Sequence, residues 1–543
     1  MRATLALALF ACSAPSDDDT LDTDTGPAPL VWPEPDAWGP RTGPGVGAAS
    51  FAQDALFTSC AALTGDLARS AQHHNHAVMY DGWLVMPWAP EDGVQRLAWN
   101  VETDGPIPTP ESDGGITTRP GIFGGGITLF ELRDPCNPIK VGEGWSPWMR
   151  ESHTIGFSEV DGRVYAAVDY LAYDGSGGVG FWDITDPTTP FWASQVSLPG
   201  HVYPDSYTRL TLSVFWQGPY VFASTAFRGV FVVDATDPLA PTVVDLDPRT
   251  PDLVDTIPLP LAPVGSFHVW GNRGLAASAG VANTRLFDVS DPLAPQLAFE
   301  GEWLVQASDG GVAPYYFANV GSRYGLFARK ESGGGPIVYD ISEPDVAPVW
   351  VGQAIQDDGD GGYVFQHEDV LFQGESAYGA VYDFSDPASP TEIGRVDMRG
   401  DFDTLTPIGN VMLGAVDDDA EDGKATVVFP WRGEPDTRGP EAGMTSPVDG
   451  ATAQAPTSRI GVAFDEMIEP VSLFEGSFRV WDADTLQAIA GTFNVQENLV
   501  NFTPEAPLPA GATIEVHVPA GGVIDLSGNP IATDLRFSFV VRE

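Results

Sequence analysis

Three kinds of side chain in this sequence could do chemistry. Aspartates come in runs, Asp357-Asp358-Gly359-Asp360 and Asp417-Asp418-Asp419-Ala420-Glu421-Asp422, and dense oxygen donors suit a hard cation such as Ca²⁺. The spacing is not that of an EF-hand, so Asp357, Asp358, Asp360, Asp417, Asp418 and Asp419 form a candidate calcium set beside the alternative of solvated acidic loops. Histidines are few, and His73-His74-Asn75-His76 and His268 are the ones whose placement suggests a ligand or metal contact. Aromatic residues Trp88, Trp99 and Phe123 fall within one stretch rich in Gly and Pro, as in a binding loop. No catalytic set emerges. His367-Glu368 lacks the second histidine of a zincin, and Gly374-Glu375-Ser376-Ala377-Tyr378 lacks the closing glycine of a nucleophile elbow. P-loop, dinucleotide and sialidase Asp-box patterns are missing as well.

The elements that must position these residues are written in a repeated phrase, an apolar pair followed by Asp-x-Ser/Thr-Asp/Glu-Pro. It begins at Phe181, Val232, Leu286, Val338 and Val381, with a worn copy at Leu129. The aligned acids, from Glu131 to Asp383, are 52, 51, 54, 52 and 43 residues apart, the period of a four-stranded propeller blade. Asp and Ser/Thr before Pro can bond the turn backbone while proline ends the strand, so these acids read as turn residues. Strand quartets between His76 and Trp431 number seven, and the last blade is expected to take its outer strand from the N-terminal segment.

That topology collects the candidates. With the repeat phrases on one face, the loops joining second to third strands make the opposite, top face. His76 and His268 each stand six residues before a glycine, Gly82 and Gly274, and are expected in equivalent slots near the channel mouth. From His76 to Asp134 is 58 residues, against 23 from His268 to Asp291. The first blade therefore carries a long top insertion holding Trp88, Trp99 and Phe123.

A formal charge of −49 excludes nucleic acid and anionic membrane surfaces as partners and tolerates cations. Met1-Arg2, an apolar run to Phe10 and then Leu9-Phe10-Ala11-Cys12 resemble a lipoprotein signal peptide with a lipobox over residues 1–12, with Cys12 the lipidated residue. Residues 13–50, acidic and then Pro/Gly-rich, are expected to be a disordered tether. In an exported protein the pair Cys60 and Cys136 is expected to form a disulfide.

Residues 51–435, with their phrases, resemble the LVIVD-repeat bacterial β-propellers. Residues 440–543 carry Phe464-Asp465-Glu466-Met467, Asn501-Phe502-Thr503-Pro504, Leu508-Pro509-Ala510-Gly511 and Asp525-Leu526-Ser527-Gly528-Asn529, and resemble an S-layer-type bacterial Ig-like domain, a module that usually acts as a spacer. The fold expected is all-β, a seven-bladed β-propeller followed by an Ig-like β-sandwich. The function expected is that of a protein lipid-anchored in the outer membrane or on the cell surface, binding an extracellular protein or carbohydrate through the propeller's top face. The alternatives are a calcium-dependent propeller hydrolase or lyase, and a structural envelope component. Calcium is the one cofactor considered.

Overall fold

In a computed structural model, residues 30–37, 41–63, 76–88, 99–100, 105–106, 125–146, 148–149, 153–171, 177–200, 211–225, 228–249, 254–257, 264–278, 283–299, 303–330, 333–416 and 424–543 are described. They are almost wholly β. Six antiparallel sheets, five of four strands and the fourth of five, follow one another in chain order, their first strands being Val78–Tyr80, Gly156–Val160, Thr211–Gln217, Val264–Trp270, Tyr315–Gly321 and Val364–His367. A seventh joins Thr404–Ile408, Val411–Ala415 and Thr426–Pro430 to Ala61–Ala62 from the N-terminal segment. Its outer strand is thus the one expected, and the pairing removes a free edge.

Alternating apolar residues pack the sheets face to face in a propeller-like order. Val85 and Ile127 of the first sheet meet Ala166 and Val168 of the second. Leu405 and Leu413 of the seventh share a cluster with Leu84 and Met86 of the first. Cys60, which precedes Ala61, is bonded to Cys136 after the Asp134-Pro135 turn, with Cα atoms 5.1 Å apart. The bridge spans the seam between last and first sheets.

The repeat phrase is explained by its turns. Asp234 Oδ1 accepts the N–H of Thr236 (2.9 Å) and Asp237 Oδ1 that of Leu239 (3.0 Å). Asp288 and Asp291 do the same for Ser290 and Leu293, and Asp383 and Asp386 for Ser385 and Ala388. Two successive carboxylates thus satisfy turn N–H groups that the sheet cannot.

The C-terminal residues form two stacked sheets. One orders Ala442–Ser446, Ile460–Phe464, Leu499–Pro504 and Gly491–Gln496; the other is built around Leu535–Val541 and Thr513–Val518. Their core includes Phe464, Phe478, Phe502 and Phe539. This sandwich is not held off as a spacer. It docks on the turns joining first and second strands. Asn501 Oδ1 accepts from Gly271 N (2.7 Å) and Gln217 Nε2 (2.8 Å), and its Nδ2 donates to Val269 O (2.9 Å). Asn494 Oδ1 accepts from Gly218 N (2.6 Å), and Glu469 takes the N–H groups of Asp81 (2.8 Å) and Gly82 (3.1 Å).

The tether also ends earlier than expected. Gly43 N donates to Asp81 O (2.9 Å), Gly45 N to Gly82 O (3.1 Å) and Gly47 N to Leu132 O (3.0 Å). A Cβ on Gly43 would sit 2.6 Å from the Gly82 carbonyl carbon, so only glycine permits the approach. Residues 41–47 are a strap along the first sheet, because their backbone groups find partners there.

Candidate functional site

Buried aromatic side chains on the first strands, or just ahead of them, stack in a row between the sheets. Phe317 and Tyr363 stack with centroids 4.2 Å apart, and Tyr363 and Phe365 follow at 6.0 Å. His153 caps one end of this row against Phe317 (5.0 Å), and His76 the other against Phe365 (5.1 Å). The turn after Gly491–Gln496 brings Glu497, in a left-handed conformation with φ 56°, against this row. Its Oε1 is 3.6 Å from His76 Nδ1. Burial pushes the Glu497 carboxyl up to about 8, an effect that the hydrogen bond from Asn319 only partly offsets. Burial, with a smaller contribution from the nearby His268, lowers His76 to about 3. The pair is therefore a neutral acid beside a neutral imidazole at pH 7.

His76 and His268 are 1% and 2% exposed. They line the interior, not an open mouth, and are not equivalent. Tyr80 pairs with Trp83 and Trp270 with Arg273, so the fourth-sheet turn is Gly271-Asn272 and His268 aligns with Val78. Gly274 lies inside the second strand, opposite Val269. His268 stands four residues before Asn272, the counterpart of Gly82, whereas His76 stands six before Gly82, so the two are out of register by two residues. His268 Nε2 is 2.7 Å from Ala318 O, and burial lowers its pKa to about 4.

Trp88 is also a core residue, 1% exposed, its indole N–H donating to Thr128 Oγ1 (3.1 Å). Trp99 begins the strand Trp99–Asn100. Cys12, Phe123, Asp417, Asp418 and Asp419 lie outside the described residues. The insertion leaves its sheet at Trp88 and returns at Gly125, the end opposite the Asp81-Gly82 turn on which the sandwich sits.

On that far end, the sixth sheet gathers the other acidic run. Asp358 Oδ2 pairs with Arg395 Nη1 (3.0 Å), and Asp360 lies 3.8 Å from Lys330 Nζ. The Tyr378 hydroxyl donates to Asp358, and the Arg395 guanidinium lies 3.7 Å over the Tyr378 ring. Asp357, Asp358 and Asp360 therefore do not converge as a calcium cage: two of them face cations and Asp357 is exposed. Beneath them is Glu375, which accepts from Gly335 N (2.8 Å) and the Tyr382 hydroxyl (3.3 Å). Burial raises it to about 8. Asp401 is raised to about 6 by burial and by Asp403. Glu375 lies in the broken-elbow stretch Gly374-Glu375-Ser376-Ala377-Tyr378, and Glu497 in a hairpin with no motif. No sequence signal distinguished either.

Residues 436–541 match the family model described as Bacterial Ig-like domain, a kind of domain that occurs in bacterial surface proteins. None of the curated proteins matches the chain. Among solved structures, a periplasmic gluconolactonase of Pseudomonas aeruginosa is 11% identical, covering 66% of this chain and 88% of that one at a TM-score of 0.45. A Lactobacillus plantarum protein is 14% identical over 58% of this chain and 96% of its own, at 0.40. The designed protein Ika8 is 10% identical over 68% and 99%, at 0.38. Likenesses this distant carry no argument about activity. Among the described residues, no helix is long and apolar enough to cross a membrane.

Proposed function

We propose that this is an exported lipoprotein, anchored through Cys12, whose seven sheets form a seven-bladed β-propeller of the LVIVD-repeat kind and which binds an extracellular protein or carbohydrate. The binding face is the end of the ring opposite the Ig-like domain. The observation that carries this reading is the docking itself: turns of several sheets are taken up by Asn494, Asn501 and Glu469, which leaves the other end for a partner. That end receives the insertion after Trp88 and the Tyr378–Arg395 platform, an aromatic ring under a guanidinium of the kind that recognises planar polar groups. The hydrolase or lyase alternative is less well supported, because His76 and His153 are buried behind stacked rings.

The test is a screen of the full chain on arrays of glycans and extracellular-matrix proteins, repeated with Trp99→Ala and Arg395→Ala. The reading predicts a ligand whose binding weakens in at least one variant. Binding that ignores both and is lost in turn variants such as Asp291→Ala would contradict it. Cys12→Ser should release the protein from the membrane fraction; equal retention would remove the anchor from the account.

A further inference from the structure

Where the sixth sheet meets the Ig-like domain, carboxylates from distant parts of the chain converge. His367 ends the strand Val364–His367 and Glu368 begins the turn after it, Asp436 lies between Thr426–Pro430 and Ala442–Ser446, and Glu466 and Asp525 are in the sandwich. One oxygen each of Asp436, Glu466 and Asp525 lie within 4.8 Å of one another, and the same holds for donor atoms of His367, Glu368 and Asp436. All five residues are buried. His367 sits between two of the acids, Nδ1 3.3 Å from Glu466 Oε2 and Nε2 3.6 Å from Asp436 Oδ2.

The charges do not balance within the protein. Arg432 pairs with Glu368 (2.8 Å) and Asp436 (3.1 Å), and Arg438 with Asp465 (2.9 Å). Glu466 and Asp525 have no guanidinium partner among the described residues. Packing like charges this close in a poorly solvated space is costly unless a cation or protons compensate. The carboxylates are nonetheless held in place. Asp525 accepts from the Asn529 backbone N–H (2.7 Å) and side chain (2.9 Å), and Ser527 Oγ donates to Asp436 (3.3 Å).

Independently of charge, two buried polar atoms in the cluster have no hydrogen-bond partner, Glu466 Oε1 and His367 Nε2. A buried carboxylate oxygen and an imidazole nitrogen both left unsatisfied are the donors a metal would use. We propose that a divalent cation is bound here by Asp436, Glu466 and Asp525, with His367 as the adjoining nitrogen donor, and that it staples the Ig-like domain to the ring. Three carboxylates favour a hard ion such as Mn²⁺ or Ca²⁺. The site is separate from the acidic runs at the far end and does not depend on the binding function proposed above.

The full chain, freed of metal with a chelator, is titrated with MnCl₂ by electron paramagnetic resonance and with CaCl₂ by calorimetry. We expect one equivalent of one of these ions to bind, with a rise in the melting midpoint that the chelator reverses. Asp525→Asn and Glu466→Gln should each weaken binding by about tenfold or more, whereas Asp357→Asn should leave it unchanged. If these variants fail to fold, the wild-type protein still decides the matter, through ¹⁴N couplings from His367 on bound Mn²⁺ or anomalous scattering at the cluster. No stoichiometric binding of either ion, melting indifferent to chelator, or binding that survives Asp525→Asn at full strength would overturn the proposal. In the first two cases the acids are held by shared protons instead.

Discussion

Glu497 of the Ig-like domain faces His76, just ahead of the first sheet, across 3.6 Å in a buried contact, so the C-terminal domain reaches the interior of the N-terminal one. The contact has a pH signature. With a folded pKa of about 8 against an ordinary 4.5, Glu497 keeps a proton that the unfolded chain has released. Folding therefore loses stability as pH rises between those values, by about 1.4 kcal/mol per pH unit for each such group. Glu375, also at about 8, acts in the same direction. His76, lowered to about 3, acts oppositely, but only below about pH 6.5. Stability should therefore fall between pH 6.5 and pH 8, and Glu497→Gln should remove part of that fall, the rest belonging to Glu375 and to other buried acids such as Glu466, which burial raises well above the ordinary carboxylate range, and Glu469, raised to about 7. Urea titrations at the two pH values check it; a flat wild-type profile would contradict the assignment.

Asn501 makes three interdomain hydrogen bonds and is 1% exposed. Asn501→Ala would leave Gly271 N–H and Val269 C=O without their interdomain partner in a buried interface, while the Gln217 amide keeps its bond to Gly271 O, a loss of about 2 to 4 kcal/mol. The expected readout is faster protease cleavage in the 432–441 segment. Unchanged cleavage would mean that the interface tolerates the loss. A fragment of residues 445–543, expected on sequence grounds to be an autonomous spacer, should be less stable than the same residues in the full chain.

The Cys60–Cys136 bridge closes a loop of 76 residues, for which chain entropy gives a stabilisation of about 4 kcal/mol. Peptide mapping without reductant should recover the two peptides joined, and Cys60→Ala with Cys136→Ala should lower the unfolding midpoint. Two alkylated thiols in protein taken from cells would contradict the bridge.

Asp237 lies on an exposed repeat turn and accepts the Leu239 N–H. Asp237→Ala should cost about 1 kcal/mol in denaturant titrations, with no change in ligand binding.

What was legible in the sequence is what is local. The repeat phrases encode turns in which an aspartate bonds a backbone N–H two residues on, so their period could be read as sheets directly. The Ig-like strands alternate visibly for the same reason. The docking was not legible, because it joins Gln217 to Asn501, 284 residues apart, through amide side chains that also suit solvent. Trp88 was misplaced because an aromatic residue beside a long insertion looks like a loop residue, whereas it is the last residue of a buried strand. Glu466 and Asp525 were read as signatures of a domain family, and nothing in their neighbourhood announces His367 or Asp436.

The Ig-like domain caps the first-to-second-strand turns, and the binding face proposed above is the other end. Residue-resolved hydrogen exchange of the full chain tests this most directly, at Gly218 and Gly271, whose N–H groups donate to Asn494 and Asn501, and at Asp81 and Gly82, which donate to Glu469. The capped arrangement predicts protection at these turns comparable to that of the adjoining strands. Exchange at the rate of free loops would show an undocked spacer and contradict the account.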